Sequence, residues 1–165
     1  MSACDKKSQQ PKQIEVIFYE PNITHIGEED WTKYKSEKCY NSVLGESDVY
    51  KYVNSAGATV NEIIYATKKG NEKPNILTAF LASDSWEKDI NSDGINEIIY
   101  TFGSPGSNIR INFLKEGKLL EVDLNECVDS PSVRYIEKEN VFIINYMNDS
   151  TDYRYSLKDN VLVME

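Results

Sequence analysis

The chain has 165 residues, a net charge of −9, and 11 tyrosines against a single histidine, His25. That length fits one domain able to bury roughly 70% of the unfolded chain's surface, and the acidic balance argues against nucleic-acid binding, which needs clustered Lys and Arg to neutralise phosphate. No apolar run approaches the ~20 residues needed to cross a bilayer, and an acidic surface suits cations, basic partners or plain solubility.

Taken in chain order, Ser2-Ala3-Cys4 is followed by a polar run from Asp5 to Lys12. This start resembles the mature end of a bacterial lipoprotein, whose signal peptide ends in Leu-[Ser/Ala]-[Ala/Gly]-Cys and whose Cys is lipidated. Met1 stands where the Leu would be, as if a secretion signal had been removed. The resemblance implies lipidation of Cys4, a flexible tether over 1–12, and a location outside the cytoplasm on the bacterial cell membrane, touched only through the lipid anchor. The other reading is a cytosolic start with an incidental cysteine. Residues 13–165 are then one β-rich domain.

Ile14 to Tyr19 reads as a strand ended by Pro21-Asn22. Glu28 to Lys35 opens with acids, as a short helix does, and Trp31, Tyr34, Tyr40, Val43 and Leu44 supply apolar contacts. Asp48 to Val53 alternates as a strand, and Gly57 breaks it. Two readings compete for 59–70. Thr59-x-x-Glu62 is a capping-box pattern with Gly70 as a C-terminal stop, and Val60, Ile63, Ile64 and Thr67 fall at helical spacing. Against this, Asn61-Glu-Ile-Ile-Tyr65 recurs as Asn96-Glu-Ile-Ile-Tyr100, which suggests two copies of one strand unit, the first without metal-binding acids, although two short matches also arise by chance. The helical reading is preferred. Ile76 to Leu81 is a further strand.

Next comes Asp89-Ile-Asn91-Ser-Asp93-Gly94-Ile95-Asn96-Glu97, with oxygen-bearing side chains at loop positions 1, 3, 5 and 9 and Gly at 6. Alternate residues of a tight turn point inward, so these oxygens converge as a hard cation requires, and position 7 offers its backbone carbonyl. Asp89, Asp93 and Glu97 would repel one another without a cation. An EF-hand or dockerin-type loop wants an acid at position 12, where Tyr100 stands. The spacing instead resembles the D-x-[DN]-x-D-G-x-x-[DE] loop of FG-GAP and VCBS-type repeats, strongly over a dozen residues and loosely over 86–122. The resemblance implies Ca²⁺ bound by the side chains of Asp89, Asn91, Asp93 and Glu97 and the carbonyl of Ile95, in a blade-like sheet. The alternative is an ordinary polar turn, since Asp, Asn, Ser and Gly favour turns.

Beyond the loop, Ile109–Leu114, Lys118–Leu124, Arg134–Glu137, Val141–Tyr146, Asp152–Leu157 and Val161–Met164 read as strands between short polar turns, the pattern of an antiparallel meander. Cys39 and Cys127 form an even pair once Cys4 is set aside, and are either a disulfide, worth ~4 kcal/mol in the chain-entropy model, or two buried free thiols. His25 has no evident nucleophile partner, Gly103-Ser-Pro-Gly106 is a turn, and there is no P-loop or dinucleotide-binding pattern, so an enzyme is not expected. The expectation is a mainly β, antiparallel meander resembling a partial propeller, with one or two short helices in its N-terminal half. Its expected role is a calcium-binding lipoprotein that binds a protein or cell-wall partner. The alternatives are a small metal-dependent hydrolase and an inhibitor or immunity-type lipoprotein.

Overall fold

The structure is a computed structural model that describes residues 10–21, 30–39, 43–44, 48–103, 108–128, 132–147 and 149–165. Among these, the elements in order are β1 (Gln13–Glu15), a 3-10 turn (Trp31–Lys33), β2 (Lys35–Lys38), β3 (Val49–Ser55), β4 (Asn61–Thr67), β5 (Asn75–Ala82), β6 (Ser85–Lys88), β7 (Glu97–Phe102), β8 (Asn108–Lys115) and β9 (Lys118–Asp123). A short helix α1 (Leu124–Val128) follows, and then β10 (Ser132–Ile136), β11 (Val141–Asn145), β12 (Tyr153–Lys158) and β13 (Val161–Met164).

The strands form three open sheets: an N-terminal sheet β2-β3-β4-β5, a central sheet β6-β7-β8-β9, and a C-terminal sheet β1-β13-β12-β11-β10. Every pairing is antiparallel. The mainly β, meandering fold is as expected, and open sheets of this kind are consistent with a partial blade-like arrangement. Tight hairpins follow from local chemistry. Glu116 and Gly117 join β8 to β9, and Asp159 and Asn160 join β12 to β13, all four with positive φ. Two-residue hairpins need that conformation, and Asp, Asn and Gly tolerate it best.

The central sheet is buried on both faces. Side chains alternate along a strand, so Ile98 and Tyr100 of β7 enter the core shared with the N-terminal sheet, where Tyr100 stacks on Phe80 with ring centroids 3.9 Å apart. Ile99 enters the core shared with the C-terminal sheet, beside Ile109, Ile111, Phe142 and Tyr155. The far face of the N-terminal sheet carries Tyr52, Ile64 and Ala66, covered in part by Trp31 and Tyr34.

Several expectations are corrected. Residues 61–67 are strand β4, not helix: Ile63 and Tyr65 face one core while Ile64 and Ala66 face the other. A run buried on both faces is continuously apolar, and such a run imitates helical spacing. Among the described residues the helical elements are the 3-10 turn at Trp31–Lys33 in the N-terminal half, with Asp30 accepting from Thr32 N, and the α-helix α1, which lies after β9. The first strand is shorter than expected, although Tyr19 adds a bridge to Glu121. Just before β1, Pro11 O accepts from Tyr155 Oη at 2.7 Å and Lys12 O from Met164 N at 2.9 Å; residues 1–9 of the expected tether lie outside the described residues.

Candidate functional site

The loop 89–96 joins β6 to β7, and Glu97 opens β7. Ser92 (φ 65°) and Gly94 (φ 88°) turn it back on itself; at Gly94 nothing crowds a Cβ, so the requirement for glycine is conformational. Asp89 accepts from Asp93 N at 3.1 Å and from Gly94 N at 2.9 Å, and Asp93 Oδ1 accepts from Ile95 N at 2.8 Å. Asn91 Nδ2 bridges Asp93 Oδ2 at 3.0 Å and Glu97 Oε1 at 3.4 Å. Glu97 Oε2 accepts from Ile90 N at 3.0 Å.

The structure therefore brings Asp89, Asn91, Asp93 and Glu97 together around one short loop. The Asn91 amide nitrogen stands between two carboxylates, where a cation's charge would stand. Asn91 Oδ1 accepts from Asp93 N at 3.1 Å, so turning the amide to present Oδ1 to the carboxylates, as an all-oxygen Ca²⁺ set requires, would give up that bond. Among the described residues no group of three or more His, Cys, Asp or Glu side chains could hold a metal ion as placed, so an ion here would need the Asn91 amide and the Ile95 carbonyl as well as the acids. Glu97 is 1% exposed, and burial, with Asp93 and Asp89 adding to it, pushes its carboxyl up to about 7 against the pull of the Ile90 hydrogen bond.

No family model, curated protein or solved structure matches the chain. The functional reading therefore rests on the residues and their geometry.

The loop is tied to all three sheets. Asn140, in the β10–β11 turn, donates to Asp89 O at 3.4 Å and is held by Tyr135 Oη at 2.9 Å. Val43 N, between β2 and β3, donates to Asn96 O at 3.0 Å. Ile90 is buried in the core with the C-terminal sheet, and Ile95 packs against the core with the N-terminal sheet.

The other expected site residues fare differently. Cys4 lies outside the described residues, as does His25. Cys39 and Cys127 are free thiols. Cys39 is buried in the core with the N-terminal sheet, where burial pushes its thiol up to about 11, while Cys127 packs against the other core and accepts from Ile17 N at 3.3 Å. Of the two readings of this pair, the structure has the free thiols: the two cysteines pack on opposite sides of the central sheet.

A second polar cluster was not anticipated. On the central sheet Tyr100 Oη donates to Glu121 at 2.6 Å, and Arg110 pairs with Asp123 at 3.1 Å and Glu121 at 3.8 Å while lying 4.0 Å from the Phe102 ring. Asp123 also caps α1 by accepting from Asn125 N at 3.1 Å and Glu126 N at 3.3 Å. The one local signal was Asp123-x-x-Glu126, a helix-start spacing. Cross-strand register does the rest, pairing Tyr100 with Arg110 and Arg110 with Asp123.

Proposed function

We propose that the protein is an extracytoplasmic, calcium-binding lipoprotein that acts as a binding module for a protein or cell-wall partner. Its cation site in the β6–β7 loop is structural. The observation that carries this reading is the approach of Asp93 and Glu97 to the one amide nitrogen of Asn91, at 3.0 and 3.4 Å, beside Asp89. Asp89, Asn91, Asp93, Glu97 and the Ile95 carbonyl would hold the ion; bound Ca²⁺ supplies the positive charge these oxygens lack. The FG-GAP and VCBS-type spacing and the open antiparallel sheets agree with this reading. A structural role follows from where the loop's ties run: to the β10–β11 turn, to Val43 and into both cores. The lipid anchor is supported by Ser2-Ala3-Cys4 and the polar run behind it.

The test is thermal unfolding with Ca²⁺, with Mg²⁺ and with chelator, on the wild type and on Asp93→Ala. Ligand at about 100 times its dissociation constant stabilises by ~2.7 kcal/mol, a rise of ~5 °C or more at this size. A Ca²⁺-selective rise absent from the variant supports the site. Equal melting of both proteins in every condition would overturn it.

A further inference from the structure

Between the 89–96 loop and the hairpin turns of the C-terminal sheet lies a cleft of about 530 Å³, within the ~300–1,000 Å³ usual for small-molecule sites. We infer that this cleft is the module's ligand site and takes a polyhydroxylated ligand, neutral or amine-bearing, such as a short glycan. The inference deepens the binding-module reading and rests on it.

The chemistry of the walls selects the ligand. Asn91 and Ser92 face it from the loop, and Asn140, Ser156 and Lys158 from the C-terminal sheet. The Asn91 and Asn140 amides are already engaged within the chain, so the Ser92 and Ser156 hydroxyls and the Lys158 ammonium are the groups that meet a ligand; hydroxyls both donate and accept, and a ligand with many hydroxyls can satisfy them together. The only apolar walls are Ile90 and Leu157, which are 3% and 4% exposed; they offer an apolar ligand almost no surface to cover, so the hydrophobic effect contributes little here.

Charge narrows the class. Glu139, Asp159 and Glu165 line the cleft against the single ammonium of Lys158. Arg154, behind the wall, holds Glu139 at 2.6 Å and Glu165 at 3.2 Å, which fixes both carboxylates in place. With Lys158 and Arg154 set against three carboxylates, the cleft keeps one net negative charge, which disfavours an anionic sugar, because like charges repel in a confined site. The loop wall is the cation loop itself, held to the opposite wall by Asn140 and Asp89. An ion that orders the loop therefore sets the width of the cleft.

The experiment is a titration of the isotope-labelled full chain, in Ca²⁺ and in chelator, with disaccharides of N-acetylglucosamine, glucosamine and galacturonic acid, following backbone amide shifts. Saturable shifts centred on Ser92, Asn140 and Ser156 are expected with the first two sugars and not with the third, at least tenfold weaker in chelator. Ser156→Trp should fill the cleft and weaken binding at least tenfold. Lys158→Ala, at an exposed position, should weaken the N-acetylglucosamine disaccharide severalfold without touching the core, and should not weaken the amine-bearing one. Shifts of the loop amides on adding Ca²⁺ but none in the cleft with any sugar would overturn the glycan site and leave the cation reading standing. Equal binding of galacturonate would overturn the charge argument, and sugar binding unchanged by chelator would overturn the link to the ion. A loop silent to Ca²⁺ would remove the reading beneath the proposal.

Discussion

Glu97 carries a carboxyl into a site where charge is costly, beneath Asp89 and Asp93, and its pKa of about 7 makes the consequence measurable. A folded-state pKa above the unfolded value means that the native protein keeps a proton the unfolded chain has released. This contribution is fully present below pH ~4.5 and lost as the pH rises through about 7, an effect of about 3 kcal/mol. Denaturant unfolding in chelator should therefore give lower stability at pH 8 than at pH 5. Glu97→Gln should flatten that slope, be more stable than the wild type at pH 8 without metal, and lose any response to Ca²⁺. A wild-type slope of opposite sign would refute the account of Glu97. Asn112 gives an independent test. It is fully buried on β8, between Ile98 and Glu121 in register, and among the described residues neither amide atom has a hydrogen-bond partner. Removing an unsatisfied buried amide without changing its shape relieves a desolvation penalty of ~1–3 kcal/mol. Asn112→Leu should accordingly stabilise by about 1–2 kcal/mol in chemical denaturation, and a loss of stability would mean that the amide is satisfied.

At the scale of elements, β7 is the hinge of the packing, since adjacent side chains serve different cores. Ile98→Ala and Ile99→Ala should each cost within the ~2–5 kcal/mol usual for such truncations. Equilibrium unfolding checks this, and a negligible loss at either position would contradict the two-faced burial. The same feature explains what was legible in the sequence. The C-terminal strands are set off by short polar turns, so Val161–Met164 and Val141–Asn145 were readable almost to the residue, although β11 is itself buried along most of its length. β4 was not, because Glu62 through Ala66 is buried on both faces and carries no period of 2. Its Thr59-x-x-Glu62 spacing imitates a helix cap, but Glu62 bonds Tyr34 Oη instead. The recurrence of Asn-Glu-Ile-Ile-Tyr was the better signal, since both copies are interior strands with a buried Glu and Tyr. The loop was legible because its candidate ligands are sequence neighbours. The Tyr100–Arg110–Glu121–Asp123 cluster was not, because only strand register brings those residues together.

For the whole molecule, the loop 89–96 is a keystone: its side chains enter the cores on both faces of the central sheet, and its backbone accepts from a turn of each outer sheet. The two free cysteines report on the same stack from opposite sides. In the native state Cys39, 3% exposed and with its thiol pushed up to about 11, should resist alkylation at neutral pH, while both cysteines should label once the chain is unfolded without reductant. Labelling of neither after non-reducing unfolding would mean that they are joined. The central claim, a calcium ion held by Asp89, Asn91, Asp93, Ile95 and Glu97, is tested most directly by equilibrium dialysis against Ca²⁺ at pH 8, on the wild type and on an Asp93→Ala variant shown to be folded by circular dichroism. The account predicts one ion per wild-type chain and none on the variant. A wild type that retains no Ca²⁺, or a variant that retains as much as the wild type, would contradict it.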